Sequence, residues 1–509
     1  MTFKKMGIST TTALVKNAQS LINHGRSSEA LNILNRILSI ESTDVFALLC
    51  KGLALKGVGK LHEACNTFDQ VITIQPDSVE AHVNRAAILQ KLGQSSEALA
   101  SSDRALSIKS NFAPAHCNRG LALYDLERPL EALQSYDRAI EIDPNFVAAH
   151  GNRGKTLQAL GRPEEALSAY QRVISLQPNA ARAYMNASHT YLLLGQFKRG
   201  WALYEWRKRL PTPLGNRVFA QPSWLGSPDL KGMRLLVHWE QGLGDTIQFC
   251  RYAALARARG ATVSLMVQKK LCQLVRTLDA NIDVCADDEL KSDFDYHCPL
   301  LSLPHAFGTR MDSIPAKTPY LFAEPERILR WRARIGNYGF KVGINWQGNK
   351  QSPTDRGRSF PLSLFHRISL IPGVRLISLQ AGTGTEQLRD LPSDMIVENL
   401  GSDFDNGLHA FLDSAAVMQS LDLIITSDTA LAHLAGALAR PTWVALQHVP
   451  DWRWLRDREN SPWYPILRLF RQTHRGCWGE VFDAMHFELL SKLRAFPLSD
   501  AADKGPNGD

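Results

Sequence analysis

The first two-fifths of this 509-residue chain repeat with a period of 34 residues. Asn84, Asn118, Asn152 and Asn186 fall on that ruler. So do Glu29-Ala30, Glu63-Ala64, Glu97-Ala98, Glu131-Ala132 and Glu165-Ala166. Gly25, Gly59, Gly93, Gly161 and Gly195 share it too, with Glu127 in the vacant glycine slot. Pro76, Pro144 and Pro178 mark repeat ends, and Ser110 stands where a fourth would be. Independent series on one period point to stacked repeats, each burying an apolar face against the next.

Each unit holds two helical stretches. In 113–144, Ala115 to Tyr124 is one and Leu130 to Ile142 the other, ended by Pro144. Gly120, Ala132 and Ala139 are small enough to let the two helices approach, and Tyr136 and Tyr170 fill the gap to neighbouring helices. The pattern resembles the tetratricopeptide repeat (TPR), with about six units over residues 9–210, the first and last degenerate. That resemblance implies an all-α superhelix whose concave groove holds a protein or peptide. It puts Asn84, Asn118, Asn152 and Asn186 on the groove-lining helices. In the O-GlcNAc transferases, asparagines at this place form a ladder that holds the target backbone, a task suited to an amide, which both donates and accepts. Asparagine is also common there in repeats of every function. One unit earlier the position is Cys50, so a ladder would cover four repeats at most.

Composition excludes several classes. Hydrophobic residues make up 44% and charged residues 21%, which is ordinary for a globular chain. No apolar run reaches the roughly 18 residues of a membrane span, and the two N-terminal lysines precede no apolar core. The eight cysteines are scattered with no Cys-x-x-Cys pair, so neither a disulfide framework nor a zinc site is expected, and the default home is reducing and cytoplasmic. Residues 1–210 hold 25 Lys and Arg against 18 Asp and Glu, while the remainder is balanced at 33 to 32. This basic excess lacks interleaved stacking aromatics, so a solvated face or an acidic partner is expected rather than nucleic acid.

Beyond Tyr204 the period ends. Pro211, Pro213, Pro222 and Pro228 with Gly215, Gly226 and Gly232 mark a connector over 211–229. Arg234–His238 and Thr262–Val267 then read as buried parallel strands around a helical stretch, Thr246 to Arg259. A second series runs through Lys341–Trp346, Val374–Leu379, Leu423–Thr426 and Thr442–Leu446, with helical stretches near 361–370, 409–420 and 429–439. We expect two α/β Rossmann-like domains, 230–335 and 336–475, facing across a cleft, with ligands at the carboxyl ends of the strands. A C-terminal helix and tail occupy 476–509, and Pro497–Asp509 is expected to be disordered.

Four stretches carry candidate chemistry. Glu240-Gln241-Gly242-Leu243-Gly244-Asp245-Thr246 succeeds a strand and opens a helix. A dinucleotide fingerprint would need a third glycine where Ile247 stands, so NAD fits poorly, and Asp245 taken alone reads more readily as a helix cap. Ile425 to Leu434 is a second strand-to-helix junction, where Asp428, Thr429 and the free N–H groups suit a phosphate, and where His433 shares a helix face with Thr429. A capped helix with a core histidine is the plain alternative. Trp346 to Lys350, running on to Ser359, gathers Lys350, Arg356 and Arg358, either for a diphosphate or as a solvated loop. The aromatics of Asp451–Trp454 and Ser461–Pro465 would stack a base or sugar, or form interdomain core.

Together these stretches resemble the GT-B glycosyltransferases, closest to glycosyltransferase family 9, the heptosyltransferase-like group. The resemblance implies that Asp245 is the catalytic base of a glycine-aspartate turn. It implies that Asp428, Thr429, Ala430 and His433 bind the donor diphosphate, with Gly348, Arg358, Ser359 and Gln380 on the same donor side. The family's usual lysine here becomes Arg358 or Lys350, which leaves the donor open. The order of TPR, connector and transferase-like half resembles a broad group of bacterial TPR proteins, and the O-GlcNAc transferases share it, though their catalytic motifs are missing. The resemblance further implies a metal-independent inverting displacement. A nucleotide sugar would serve as co-substrate, with no cofactor, and the TPR groove would hold a protein acceptor. The alternatives are a glycan-directed transferase and a TPR adaptor whose second half is non-catalytic.

Overall fold

A computed structural model describes residues 8–211, 217–290, 293–351, 355, 357–407 and 410–495. Arg356, Pro213, Gly215 and the tail Pro497–Asp509 lie outside the described residues. The chain divides after Ala187 into two compact units. The expected repeat array runs past that division, and its last stretch, 188–210, clusters with the second unit.

The first unit is built from helix pairs: α1 (Ile8–Asn23), α2 (Ser27–Leu38), α3 (Val45–Gly57), α4 (Leu61–Ile74), α5 (Val79–Lys91), α6 (Ser95–Ile108), α7 (Ala113–Asp125), α8 (Pro129–Ile142), α9 (Val147–Ala159) and α10 (Pro163–Leu176). Each helix packs on the next, so the pairs stack as a TPR superhelix. The repeated alanines Ala30, Ala64, Ala98, Ala132 and Ala166 are buried in the second helix of each pair. A Cβ added to Gly120 or Gly154 would lie 2.6 Å from the ring of Tyr136 or Tyr170, so the missing side chain on the first helix is the seat of the aromatic on the second.

The turn inside each pair is set by one left-handed residue. Gly25, Gly59, Gly93 and Gly161 take φ between 72 and 81°, and Glu127 takes φ 59° in the same place. The next N–H then donates back five residues, as from Lys60 to Leu55 and from Arg128 to Leu123. This cap satisfies a carbonyl that the helix end would leave open.

In the second unit, α11 (Ala181–Leu193) crosses the division and α12 (Phe197–Tyr204) comes after it. Two parallel sheets come next. The first has the order β3-β2-β1-β4, from β1 (Arg234–His238), β2 (Thr262–Met266), β3 (Asp283–Cys285) and β4 (Tyr296–Pro299). The second has the order β10-β9-β8-β5-β6-β7, from β5 (Phe340–Asn345), β6 (Val374–Ser378), β7 (Val397–Glu398), β8 (Leu423–Ser427), β9 (Thr442–Leu446) and β10 (Leu467–Arg471). This is an α/β arrangement. α13 (Leu243–Phe249) leaves β1, and helix Ala430–Ala437 leaves β8. The C-terminal helix Trp478–Ala495 buries Val481, Phe482, Met485 and Leu489 against the core of the second sheet.

The aromatic stretches after β9 are core. Trp452, Trp454, Trp463 and Tyr464 are buried. Trp201 of α12 meets Trp452 at 5.2 Å and Phe249 of α13 at 6.4 Å between ring centroids. The stacking role for a base or sugar is therefore corrected for these rings: they join α12 to α13 and the 452–464 loop.

The left-handed turns generate the first prediction. A non-glycine residue in this region costs roughly 1–2 kcal/mol, against roughly 0.5–1 kcal/mol of chain entropy for glycine. Glu127→Gly should raise stability by about 0.5 kcal/mol, whereas Gly120→Val, driven into Tyr136, should lower it by about 1–3 kcal/mol. Urea unfolding monitored by circular dichroism reads both.

Candidate functional site

The heads of α13 and of helix Ala430–Ala437 lie against each other. A Cβ on Gly244 would sit 3.2 Å from His433 Cδ2 and 3.3 Å from Ala430 Cα, so a side chain here would crowd the approach and glycine relieves it. The two motifs singled out in the sequence, from opposite ends of the α/β region, thus share one place at the carboxyl ends of β1 and β8.

Gly242, not Asp245, is the N-cap of α13. Asp245 is the third residue of the helix, and its Oδ2 accepts the Gly242 N–H at 2.9 Å. Its Oδ1 is ion-paired with Arg453. Arg453 is 8% exposed and reaches further. Its Nε donates to Gln248 Oε1 at 2.7 Å, and its Nη1 donates to Asp451 Oδ1 at 2.8 Å. Asp451 is shared: its Oδ2 lies 3.3 Å from Arg358 Nη2. Arg358 Nε in turn lies 3.5 Å from Asp428 Oδ2. Asp245, Arg453, Asp451, Arg358 and Asp428 therefore form a chain of alternating charge from one helix head to the other.

Burial and pairing set the protonation of this chain. Burial alone would push Asp451 up, but Arg453 and Arg358 hold its carboxyl well below the usual range. Asp428 is raised, chiefly by burial, which its more distant Arg358 offsets only in part. Arg358 is raised above all by Asp428. Arg453 is raised too, because Asp451 and Asp245 outweigh its burial. His433 is pushed well below its ordinary value by burial first and by Arg453 second. Its Nδ1 meets Tyr464 Oη at 3.1 Å, and its ring stacks on Trp454 at 5.5 Å and 9°.

The loop after β5 closes on itself. Ser359 Oγ accepts the Gly348 N–H at 3.0 Å and donates to Asp355 at 2.8 Å. Thr429 Oγ1 donates to Asn345 Oδ1 at 3.1 Å, which anchors the head of helix Ala430–Ala437 to the end of β5. Gln380 differs from its expected donor-side role. Its Oε1 accepts from Asn345, Trp346 and Gln347, and its Nε2 donates to the Gln347 and Thr383 carbonyls. The amide is saturated, so it orders the loop rather than facing a ligand. Lys350 is exposed and lies 4.0 Å from Glu386, away from the charge chain. Among the described residues of this loop, Arg358 is thus the basic residue that joins the charge chain.

Sequence reading passed over Arg453, Asp451 and Gln248. Gln248 lies one turn after Asp245 on α13, a spacing that puts both on one helix face. Arg453 and Asp451 lie inside the aromatic stretch, whose density of rings is the stronger signal in the sequence.

In the first unit, Asn84 Nδ2 donates to Glu80 O at 2.9 Å within its own helix. Asn118 Nδ2 donates to Val83 O at 3.0 Å and Asn152 Nδ2 to Cys117 Sγ at 3.7 Å, each reaching the first helix of the preceding repeat. Asn186 stands one period further on α11 and is engaged as well. Asn118 and Asn152 thus tie neighbouring repeats together through their nitrogens.

Comparison with known proteins identifies the repeats. Residues 113–146 and 147–180 match one tetratricopeptide-repeat family model, and residues 67–100 match a second. The chain carries tetratricopeptide repeats. They support a protein-interaction role for the first unit. Over 310 residues the chain is 28% identical to the protein FlbA of Caulobacter vibrioides, covering 55% of this chain and 50% of FlbA. The chain therefore spans about half the length of that relative. Among solved structures it is similar to MamA from Desulfovibrio magneticus RS-1, at 23% identity and TM-score 0.31, covering 34% of this chain and 98% of that one. It is also similar to a thermophilic TPR protein of Thermus thermophilus, at 18% identity and TM-score 0.33, covering 36% and 99%. A third is YrrB, described as a TPR protein with an unusual peptide-binding site, at 22% identity and TM-score 0.28, covering 34% and 89%. Among the described residues no helix is long and apolar enough to cross a membrane.

His433 yields a pH prediction. It is a base whose folded value is depressed. Below about pH 6.5 the unfolded chain takes up a proton there and the folded chain does not, so stability falls as pH falls. The slope from this residue approaches about 1.4 kcal/mol per pH unit. Urea unfolding at pH 7.5, 6 and 5 should show His433→Asn losing less stability than the parent over that interval.

Proposed function

We propose that the second unit is a glycosyltransferase of GT-B type. It would move a sugar from a nucleotide-sugar donor to an acceptor held by the TPR groove. The observation that carries this reading is the meeting of the Gly244-Asp245 turn with the Asp428–His433 element at the carboxyl ends of two parallel sheets, with Arg358 beside Asp428. Open α/β sheets take ligands at that edge.

The chemistry would run as a direct displacement. The acceptor hydroxyl oxygen attacks the anomeric carbon, the bond from that carbon to the diphosphate oxygen breaks, and the hydroxyl proton passes to Asp245. The nucleoside diphosphate leaves with the negative charge. Arg358 and the N–H groups at the head of helix Ala430–Ala437 would stabilise that charge. The repeat groove would present a Ser or Thr of a protein acceptor, with Asn118 and Asn152 holding its backbone.

A second reading is favoured by one observation. Both oxygens of Asp245 are already engaged, by Arg453 and by the Gly242 N–H. A closed pair of this kind suits an adaptor whose second unit only binds a nucleotide, or binds none.

Incubation of the purified protein with UDP-, GDP-, ADP- and CMP-sugars separates the readings. The transferase reading expects one donor to be bound and slowly hydrolysed. Asp245→Ala should keep that binding and lower turnover by about 10²–10⁴-fold, the usual worth of a general base. Binding of no nucleotide by the parent protein would favour the adaptor. Once an acceptor is in hand, joint replacement of Asn118 and Asn152 by Ala should weaken transfer to it several-fold while leaving donor hydrolysis unchanged.

A further inference from the structure

The charge chain contains three carboxylates and two guanidiniums, so its end groups compete for shared partners. Asp451 is the shared group: Oδ1 serves Arg453 and Oδ2 serves Arg358. Asp245 holds one end of Arg453, and Asp428 holds one side of Arg358. Arg453 also donates to Gln248, and its guanidinium lies 4.2 Å from the Trp452 ring centroid, so it is fixed on its apolar side and adjustable only between its two carboxylates.

We propose that Arg453 is a positioning residue that works as a ligand-set switch. With the Arg358 end empty it keeps the Asp245 carboxylate in a closed pair, and a diphosphate at the Arg358–Asp428 end releases it. The release is a matter of competition. An anion on Arg358 displaces Asp451 from that guanidinium. Asp451 then has both oxygens for Arg453 and takes its Nη groups in a bidentate pair, the geometry a guanidinium favours. Arg453 swings from Asp245 by the width of its own fork, and Asp245 is free to meet a hydroxyl. The order of events is thereby fixed: the diphosphate-bearing ligand enters before Asp245 can accept a proton. This inference rests on the proposed function only for the purpose of the freed carboxylate, since the switch itself needs nothing but an anion.

Carbodiimide coupling of glycinamide to carboxylates, read site by site by mass spectrometry on the full chain, tests it with inorganic pyrophosphate as the probe. Asp413 is buried under Trp331, Arg327 and Arg330, away from the chain, and reports whether the fold is intact. In the parent protein Asp245 should label poorly and gain at least about threefold on adding millimolar pyrophosphate. Arg453→Met should label strongly at Asp245 with or without pyrophosphate, and Arg453→Lys should restore part of the shielding. Arg358→Gln gives Asp451 wholly to Arg453, so Asp245 should be labelled without any anion and be indifferent to pyrophosphate. If Arg453→Met raises Asp413 labelling, its fold is lost and the Arg358→Gln result decides. Parent protein whose Asp245 labelling ignores pyrophosphate, or Arg358→Gln protein whose Asp245 stays shielded, would overturn the switch. Turnover of a nucleotide sugar by that same parent protein would then show that the transferase reading stands without it.

Discussion

A guanidinium taken out of water must find carboxylates, and in this chain one guanidinium finds two on different elements. Arg453 binds Asp245 of α13 and Asp451 of its own loop, and Gln248 fixes its third side. Removing one partner of such a buried pair typically costs about 3–5 kcal/mol, because the other charge stays behind unpaired. That pairing and the Gln248 contact are two of the ties between α13 and the loop after β9, beside the close approach of Gly244 to Ala430. Arg251, which opens the next helix, adds further ties by donating to the Pro315 and Trp463 carbonyls and to Tyr320. The aromatic core from Trp201 to Trp463 supplies the apolar burial around these charges, which keeps water out of the pairs and makes each one matter more.

The first unit depends on a different constraint. Its helices approach until an aromatic ring occupies the place of a missing Cβ, as Tyr136 does at Gly120 and Tyr170 at Gly154. Around that contact the polar surface repeats as faithfully as the core. Arg85 pairs with Asp69, Arg119 with Asp103 and Arg153 with Asp137, each 16 residues back on the preceding helix. Pairs this exposed add little individually. Their regularity holds the register from one repeat to the next, which is what a groove of fixed spacing requires.

Periodicity makes the repeats legible in the sequence, where Glu127 shows only as a break in the glycine series; its left-handed turn is visible in the fold alone. The strands β1, β2, β5, β6, β8 and β9 were legible as apolar runs, because a parallel strand is covered on both faces. Four strands were not. β3 and β7 are three and two residues long, β4 is Tyr-His-Cys-Pro, and β10 alternates leucine and phenylalanine with arginine as an edge strand. The stretch near 361–370 breaks into two single turns, Leu362–Phe365 and His366–Ser369, where one helix was expected. At the candidate site the glycine turn and the Asp-Thr junction stood out because each comes straight after a strand. The pairing of Arg453 with Asp245 did not, since 208 residues separate them and only the folded sheet edges bring them together. Gln380 was misread for the same reason: a sequence shows an amide but not that five backbone and side-chain groups already occupy it.

If the heads of α13 and of helix Ala430–Ala437 form one ligand site, a ligand must reach both at once. Hydrogen–deuterium exchange on the full chain, with and without a panel of nucleoside diphosphates, addresses it directly. One nucleotide should slow exchange in 243–249 and in 428–434 together, at the same concentration midpoint. Protection of neither segment by any nucleotide, or protection of one without the other, would contradict it.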